Sequence, residues 1–153
     1  MSNIAQAKIF FGSTEENKKS QLERKSPFDG AVVSSAPVCD ADDTIKALNI
    51  AKSASKAAAK SPLSQRILWL EDVAQKLTEA KEEFALMLAK EVAKPIAFSR
   101  VEVERCVETI KITAMELANL SGETLPTDLM PRGKKTLAYF RREPVGVGGC
   151  ITP

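Results

Sequence analysis

The sequence contains no histidine. That removes imidazole as a general acid, a general base or a metal ligand, and no metal site is expected. Cysteine is sparse: Cys39, Cys106 and Cys150 are widely scattered, with no CxxC spacing to suggest zinc. Their odd number fits a reduced, cytosolic setting. Neither sign of charge dominates, with 22 Lys and Arg against 20 Asp and Glu and a net charge of +2. No general electrostatic pull toward nucleic acid or an acidic membrane is expected. No apolar run approaches the length of a membrane span, and residues 1–11 lack the basic start and apolar core of a signal peptide. There is no internal repeat and no linker rich in Pro, Gly and Ser. What remains is ordinary globular material: 153 residues, 44% hydrophobic and 27% charged, enough to bury a core without staples.

The first segment reads as strands. Ile9 to Phe11 is a short apolar run ended by Gly12, and the polar "TEENKKS" after it reads as a turn or loop. "QLERK" is a second strand, and Ser26-Pro27-Phe28-Asp29-Gly30 has the chemistry of a turn. "AVVSSAPV" returns as a third, which predicts a small antiparallel meander. Helices follow. Asp40 is an N-cap candidate, with Asp42 and Asp43 in the first turn where negative charge suits the dipole. Ile45, Leu48 and Ala51 recur at helical spacing and predict an inward face. Ser61 or Ser64 with Pro62 opens the next helix, striped by Ile67, Leu70, Ala74 and Leu77. The pattern continues past a kink near Thr78, burying Phe84, Met87 and Leu88, until Pro95. Val103, Val107, Ile110, Ala114 and Leu117 step by four and three along a last helix, with Gly122 as its stop. Then "ETLPTD" and "TLAYFRREP" read as extended pieces around a basic turn, and Val145 to Thr152 as a buried strand.

No active site assembles from residue chemistry alone. Gly146, Gly148 and Gly149 lack the spacing and the following helix of a phosphate loop, so they read as strand residues permitting close approach. Cys106 and Cys150 have no histidine to activate them and read as structural thiols. Glu102, Glu104 and Arg105 read as a solvated helix face. Lys94 reads as a loop residue before a helix, and Trp69 and Tyr139 as packing residues.

The order of four stretches carries more than any one of them: "SPFDGAVVSSAPV", "AKEVAKPIAFSRVEVER", "SGETLP" and "FRREPVGVGGCITP". In this order and at these separations they resemble the N-terminal part of the aldehyde dehydrogenase superfamily, NAD(P)-dependent oxidisers of aldehydes to acids. The resemblance spans nearly the whole chain. "SRVEVER", "SGETLP" and "REPVGVGGCITP" are most similar to lactaldehyde dehydrogenases and close relatives. Non-phosphorylating glyceraldehyde-3-phosphate and succinate-semialdehyde dehydrogenases are near alternatives. One departure is Ala93, where the family often has Gly before Lys-Pro; it touches a turn and not the chemistry.

The resemblance implies an α/β fold with an initial strand meander, a helical layer, an oligomerisation hairpin and the first strand of the dinucleotide-binding sheet. Residues 1–122 would be the strands and helices of the cofactor domain, 123–143 the hairpin, and 144–153 the first sheet strand. It implies that the nucleophilic Cys, the general-base Glu and the oxyanion-holding Asn lie beyond residue 153, so no catalytic residue is assigned within the chain. The full enzyme would form a thioester by thiolate attack, transfer hydride to NAD or NADP, and hydrolyse the thioester. Cofactor contacts would come only from the backbone of Ile151, Thr152 and Pro153, and the chain by itself is not expected to bind NAD or NADP. Arg105 would border the substrate entrance near Val101 and Glu102 and face a polar or anionic aldehyde. Homo-oligomers through 123–143 are expected, with no nucleic-acid or membrane partner. The competing expectation is a non-catalytic assembly or binding module.

Overall fold

The computed structural model describes residues 4–152. Its strands fall into three groups. β4 (Gln21–Lys25) and β5 (Val32–Pro37) form an antiparallel hairpin. The turn between them is built as its residues predict. The Ser26 N–H donates to Ala31 O at 2.8 Å, the Gly30 N–H donates to Ser26 O at 2.9 Å, and Gly30 takes φ 74°. β1 (Ala5–Gln6) then pairs parallel to β5, so the sheet order is β1-β5-β4. The expected all-antiparallel meander is corrected in two places. β1 is parallel, and β2 (Ile9–Phe11) leaves the sheet to form its own hairpin with β3 (Thr14–Glu16). β3 comes from the polar stretch expected as a loop. Only one side chain of the β2–β3 pair, Phe11, is buried, so β3 needs no apolar alternation.

α1 (Ala41–Ala59) begins at a complete capping box. The Asp43 N–H donates to Asp40 Oδ1 and the Asp40 N–H to Asp43 Oδ2, both at 3.0 Å. Lys18 closes on Asp43 at 2.7 Å. The Lys18 ammonium, then the Asp40 backbone N–H, hold the Asp43 carboxyl below the usual carboxylate range. α1 meets the β2–β3 hairpin through Lys46, whose ammonium pairs with Glu16 and lies 4.3 Å from the Phe11 ring centroid. The inward face expected for Ile45 and Leu48 is corrected: they are 55% and 51% exposed. The apolar stripe exists, but of its members only Ala51 is half-buried.

α2 (Leu63–Glu79), α3 (Lys81–Val92) and α4 (Ile96–Glu116) make the helical layer, with α4 packed on both others. Pro62 occupies the N-cap position of α2 with no side-chain cap bond from either serine. The contact surfaces use small or β-branched residues: Ala74, Ala85, Val103, Val107 and Ala114 are buried, and Ser99 is completely so. These permit close approach of helix backbones, at the cost of few large core side chains. Helices α2 and α3 are separate at Ala80 rather than kinked near Thr78. Phe84, expected inside, is 48% exposed because the inward line of α3 runs through Ala85. Met87 and Leu88 are half-buried. The α4 stripe holds as its spacing predicts, with Ile110 and Leu117 half-buried at its edge. A single 3-10 turn, Leu117–Asn119, ends it.

The C-cap of α3 is Ala93, left-handed at φ 51° and ψ 33°. This is the position where glycine was expected, and a Cβ there costs about 1–2 kcal/mol of backbone strain. Ala93→Gly should therefore raise stability, by about 1 kcal/mol less the added unfolded-state entropy of glycine. Thermal unfolding followed by circular dichroism checks this; an unchanged or lower midpoint would show that the left-handed turn is not strained.

β6 (Glu123–Leu125) pairs antiparallel with β7 (Ala138–Phe140). Gly122 is not the helix stop expected of it. A Cβ there would come 1.9 Å from the Phe140 carbonyl oxygen, so it is required by the entry to this hairpin. Residues 144–152 form no strand among the described residues and are exposed throughout. Val145 and Ile151 have 100% and 101% of their surface open. The buried strand expected there is corrected: a strand exists only with a hydrogen-bonded neighbour, and none of the described elements supplies one.

Candidate functional site: the α3–α4 junction

Three ion pairs tie α4 to α3 and to the turn between them. Arg100 grips Glu82 with two parallel bonds, Nε to Oε1 at 2.9 Å and Nη2 to Oε2 at 3.0 Å. Lys81 pairs with Glu104, and Lys94 with Glu102. The Lys94 hydrogen bond is the first cause holding the Glu102 carboxyl below its usual range. The Lys94 charge follows it, and the Arg105 charge contributes least.

Arg105 is exposed on α4 and makes no ion pair among the described residues. Its backbone carbonyl accepts from Thr109 Oγ1 at 2.8 Å. The neighbouring carboxylates Glu102 and Glu104 are already taken by lysines. The charge pattern of this stretch predicts a plain solvated face and gives no sign of the Lys94–Glu102 pair. That pair reaches from the turn across Pro95 to α4, so no helical spacing rule could find it.

The other candidates lie apart from this junction. Ile151 and Thr152 are exposed in the unpaired segment, and Pro153 lies outside the described residues. With nothing packed around Ile151 and no strand beside it, the described residues do not form a dinucleotide pocket. Cys39, Cys106 and Cys150 are all exposed. Among the described residues no cluster of three His, Cys, Asp or Glu side chains is placed for a metal ion, and no helix is long and apolar enough to cross a membrane. A groove of about 540 Å³ lies between α2 and α4, lined by Ile67, Ala74, Lys111, Ala114 and Met115 among others. It holds no thiol or hydroxyl nucleophile and does not include Arg105.

A parallel β1–β5 pair, a capped α1, and α4 crossing α2 and α3 before a two-stranded arm define a mixed helix-and-strand unit. The unit is that of the N-terminal part of aldehyde dehydrogenase structures. The aldehyde dehydrogenase family profile matches residues 13–153, and the chain belongs to that family. It is 33% identical over 128 residues to a lactaldehyde dehydrogenase of Methanocaldococcus jannaschii, covering 84% of this chain and 26% of that protein. It is 33% identical over 153 residues to a 3-sulfolactaldehyde dehydrogenase of Priestia aryabhattai, covering 100% of this chain and 32% of the relative. The NADP-dependent glyceraldehyde-3-phosphate dehydrogenase of Bacillus halodurans C-125, solved with NADP, superposes with TM-score 0.84 at 28% identity. That match covers 94% of this chain and 31% of the solved one. The chain thus spans about a quarter to a third of the length of the relatives it matches.

Proposed function

We propose that these residues belong to an aldehyde dehydrogenase that oxidises a small polar aldehyde to its carboxylic acid with NAD or NADP, and that Arg105 faces the substrate. The observation that carries the reading is an exposed guanidinium on α4 that makes no ion pair among the described residues, with Glu102, one turn before it, engaged by Lys94. The substrates named by the relatives support it. Lactaldehyde, 3-sulfolactaldehyde and glyceraldehyde 3-phosphate are all short 2-hydroxyaldehydes, and two of them carry an anionic group. Succinate semialdehyde, also anionic, remains the alternative substrate.

Within this reading a polypeptide of these 153 residues does not catalyse the reaction by itself. Its three thiols are exposed, there is no histidine, and the described residues enclose no cofactor pocket. Residues 123–143 act as an arm that packs against a second subunit. The setting is cytoplasmic.

The test is reduced-cofactor formation with a panel of aldehydes. The enzyme carrying these residues should turn over lactaldehyde or its sulfonated or phosphorylated analogues with NAD or NADP. The 153-residue polypeptide should give none. Aldehyde-dependent NADH formation by the purified polypeptide that is abolished by Cys150→Ser would overturn its assigned inactivity. A panel with no short 2-hydroxyaldehyde among the turned-over compounds would overturn the substrate class.

A further inference from the structure

We propose that Lys94 is a positioning residue that keeps Arg105 available to an anionic substrate by occupying Glu102. The proposal rests on the reading that Arg105 faces the substrate, and it adds what decides whether Arg105 is free to do so.

Glu102 and Arg105 stand three residues apart on α4, within reach of one another, with the carboxylate on the N-terminal side. On an isolated helix such a pair forms readily. Here it does not, because Glu102 is bonded to Lys94. Arg105 already senses that carboxylate through its charge, without a hydrogen bond to it. Glu108 stands three residues to the other side of Arg105, in the less favourable order of cation before anion, and no ion pair joins them.

Lys94 does not come from α4. It stands between the left-handed Ala93 and Pro95, whose restricted backbones fix where the lysine leaves the chain. A residue of the α3–α4 turn thus neutralises the one carboxylate best placed to capture Arg105. Lys81 engages Glu104, which adjoins Arg105 in sequence but does not face it on the helix. With Glu102 so occupied, and no ion pair to Glu108, Arg105 has no carboxylate partner among the described residues.

Two measurements test this, and they fail differently. The first needs no substrate. Phenylglyoxal modifies free guanidinium groups, and peptide mass spectrometry of the 153-residue chain reads the rate at Arg105, with the exposed Arg24 as internal reference. Lys94→Met should slow Arg105 modification about twofold, the size of an exposed pair three residues apart on a helix. Adding Glu102→Gln should restore the rate, and Lys94→Arg should leave it unchanged. An Arg105 rate indifferent to Lys94→Met, or one not restored by Glu102→Gln, overturns the proposal.

The second measurement uses the whole enzyme. Lys94→Met should raise KM for 3-sulfolactaldehyde about twofold to threefold with kcat unchanged, leave propionaldehyde unaffected, and be reversed by Glu102→Gln. A general structural defect would move both substrates together and would not be reversed by a second substitution. Slowed modification with an unchanged KM overturns the substrate-facing role of Arg105, and with it the role of Lys94 in substrate choice.

Discussion

Arg105→Ala in the enzyme that carries these residues should lower kcat/KM for 3-sulfolactaldehyde by about tenfold or more, and leave propionaldehyde within about twofold of the unaltered enzyme. The magnitude follows from the bond removed. A hydrogen bond to a charged group contributes ~1.5–3 kcal/mol, which is about tenfold to 150-fold in a rate or binding constant. Arg105 is exposed in the described structure, so the lower end applies unless the rest of the active site excludes water from it. Lactaldehyde, which is polar but neutral, should lose an intermediate amount, since a neutral bond contributes only ~0.5–1.5 kcal/mol. If the guanidinium binds ground state and transition state alike, the loss falls in KM; if its grip tightens as charge develops, it falls in kcat. Raising ionic strength should shrink the gap between unaltered and variant enzyme for the sulfonated substrate alone. Equal losses on the anionic and apolar aldehydes would mean that Arg105 does not face the substrate.

The stretches that apolar periodicity announces as helices are helical. Asp40 caps α1 because its carboxylate and that of Asp43 satisfy two orphan N–H groups, and this is a local matter. The α4 stripe is buried because α2 and α3 lie on either side of it. Apolar spacing fails as a guide where burial depends on something outside these elements. Ile45 and Leu48 have the right spacing and stay about half exposed. Val145 to Thr152 has strand composition and no strand beside it. In both places the pattern is a statement about a partner surface, and the described residues do not include one. Topology was less legible still. Nothing in "NIAQAKIFF" distinguishes a strand parallel to β5 from one antiparallel to it, because β1 is only the pair Ala5–Gln6.

The candidate site divides in the same way. Arg105 could be singled out through family resemblance, since nothing in its own surroundings in the sequence marks it among the charges of α4. Its unpaired state is a three-dimensional fact. It depends on Lys94 reaching Glu102 on α4 from the turn. Ile151 and Thr152, expected to contact the cofactor, are exposed, because a dinucleotide pocket is a property of a whole parallel sheet and not of one segment.

A polypeptide of these 153 residues should not persist as a monomer in solution. The β6–β7 arm joins two strands, Glu123–Leu125 and Ala138–Phe140, and a two-stranded ribbon is marginal alone in water. Leu129, Met130, Leu137 and Tyr139 along it are largely exposed. Residues 145–152 add an uncharged segment whose backbone groups have no strand partner among the described residues. Such a segment pairs with whatever strand is at hand. The exposed α1 stripe adds apolar area, but it lacks the open backbone groups that make strand pairing cooperative. Light scattering coupled to size exclusion, run as a concentration series, should show dimers or larger species growing with concentration. Val147→Lys should shift that series toward monomer, because a lysine in the segment places charge where a neighbouring strand would have to bury it. Leu137→Lys, in the arm, should do the same if the arm contributes; an effect of only one substitution would identify which segment drives association. A monodisperse, folded monomer at high concentration, with both substitutions silent, would overturn the prediction and leave the arm without the partner surface assigned to it.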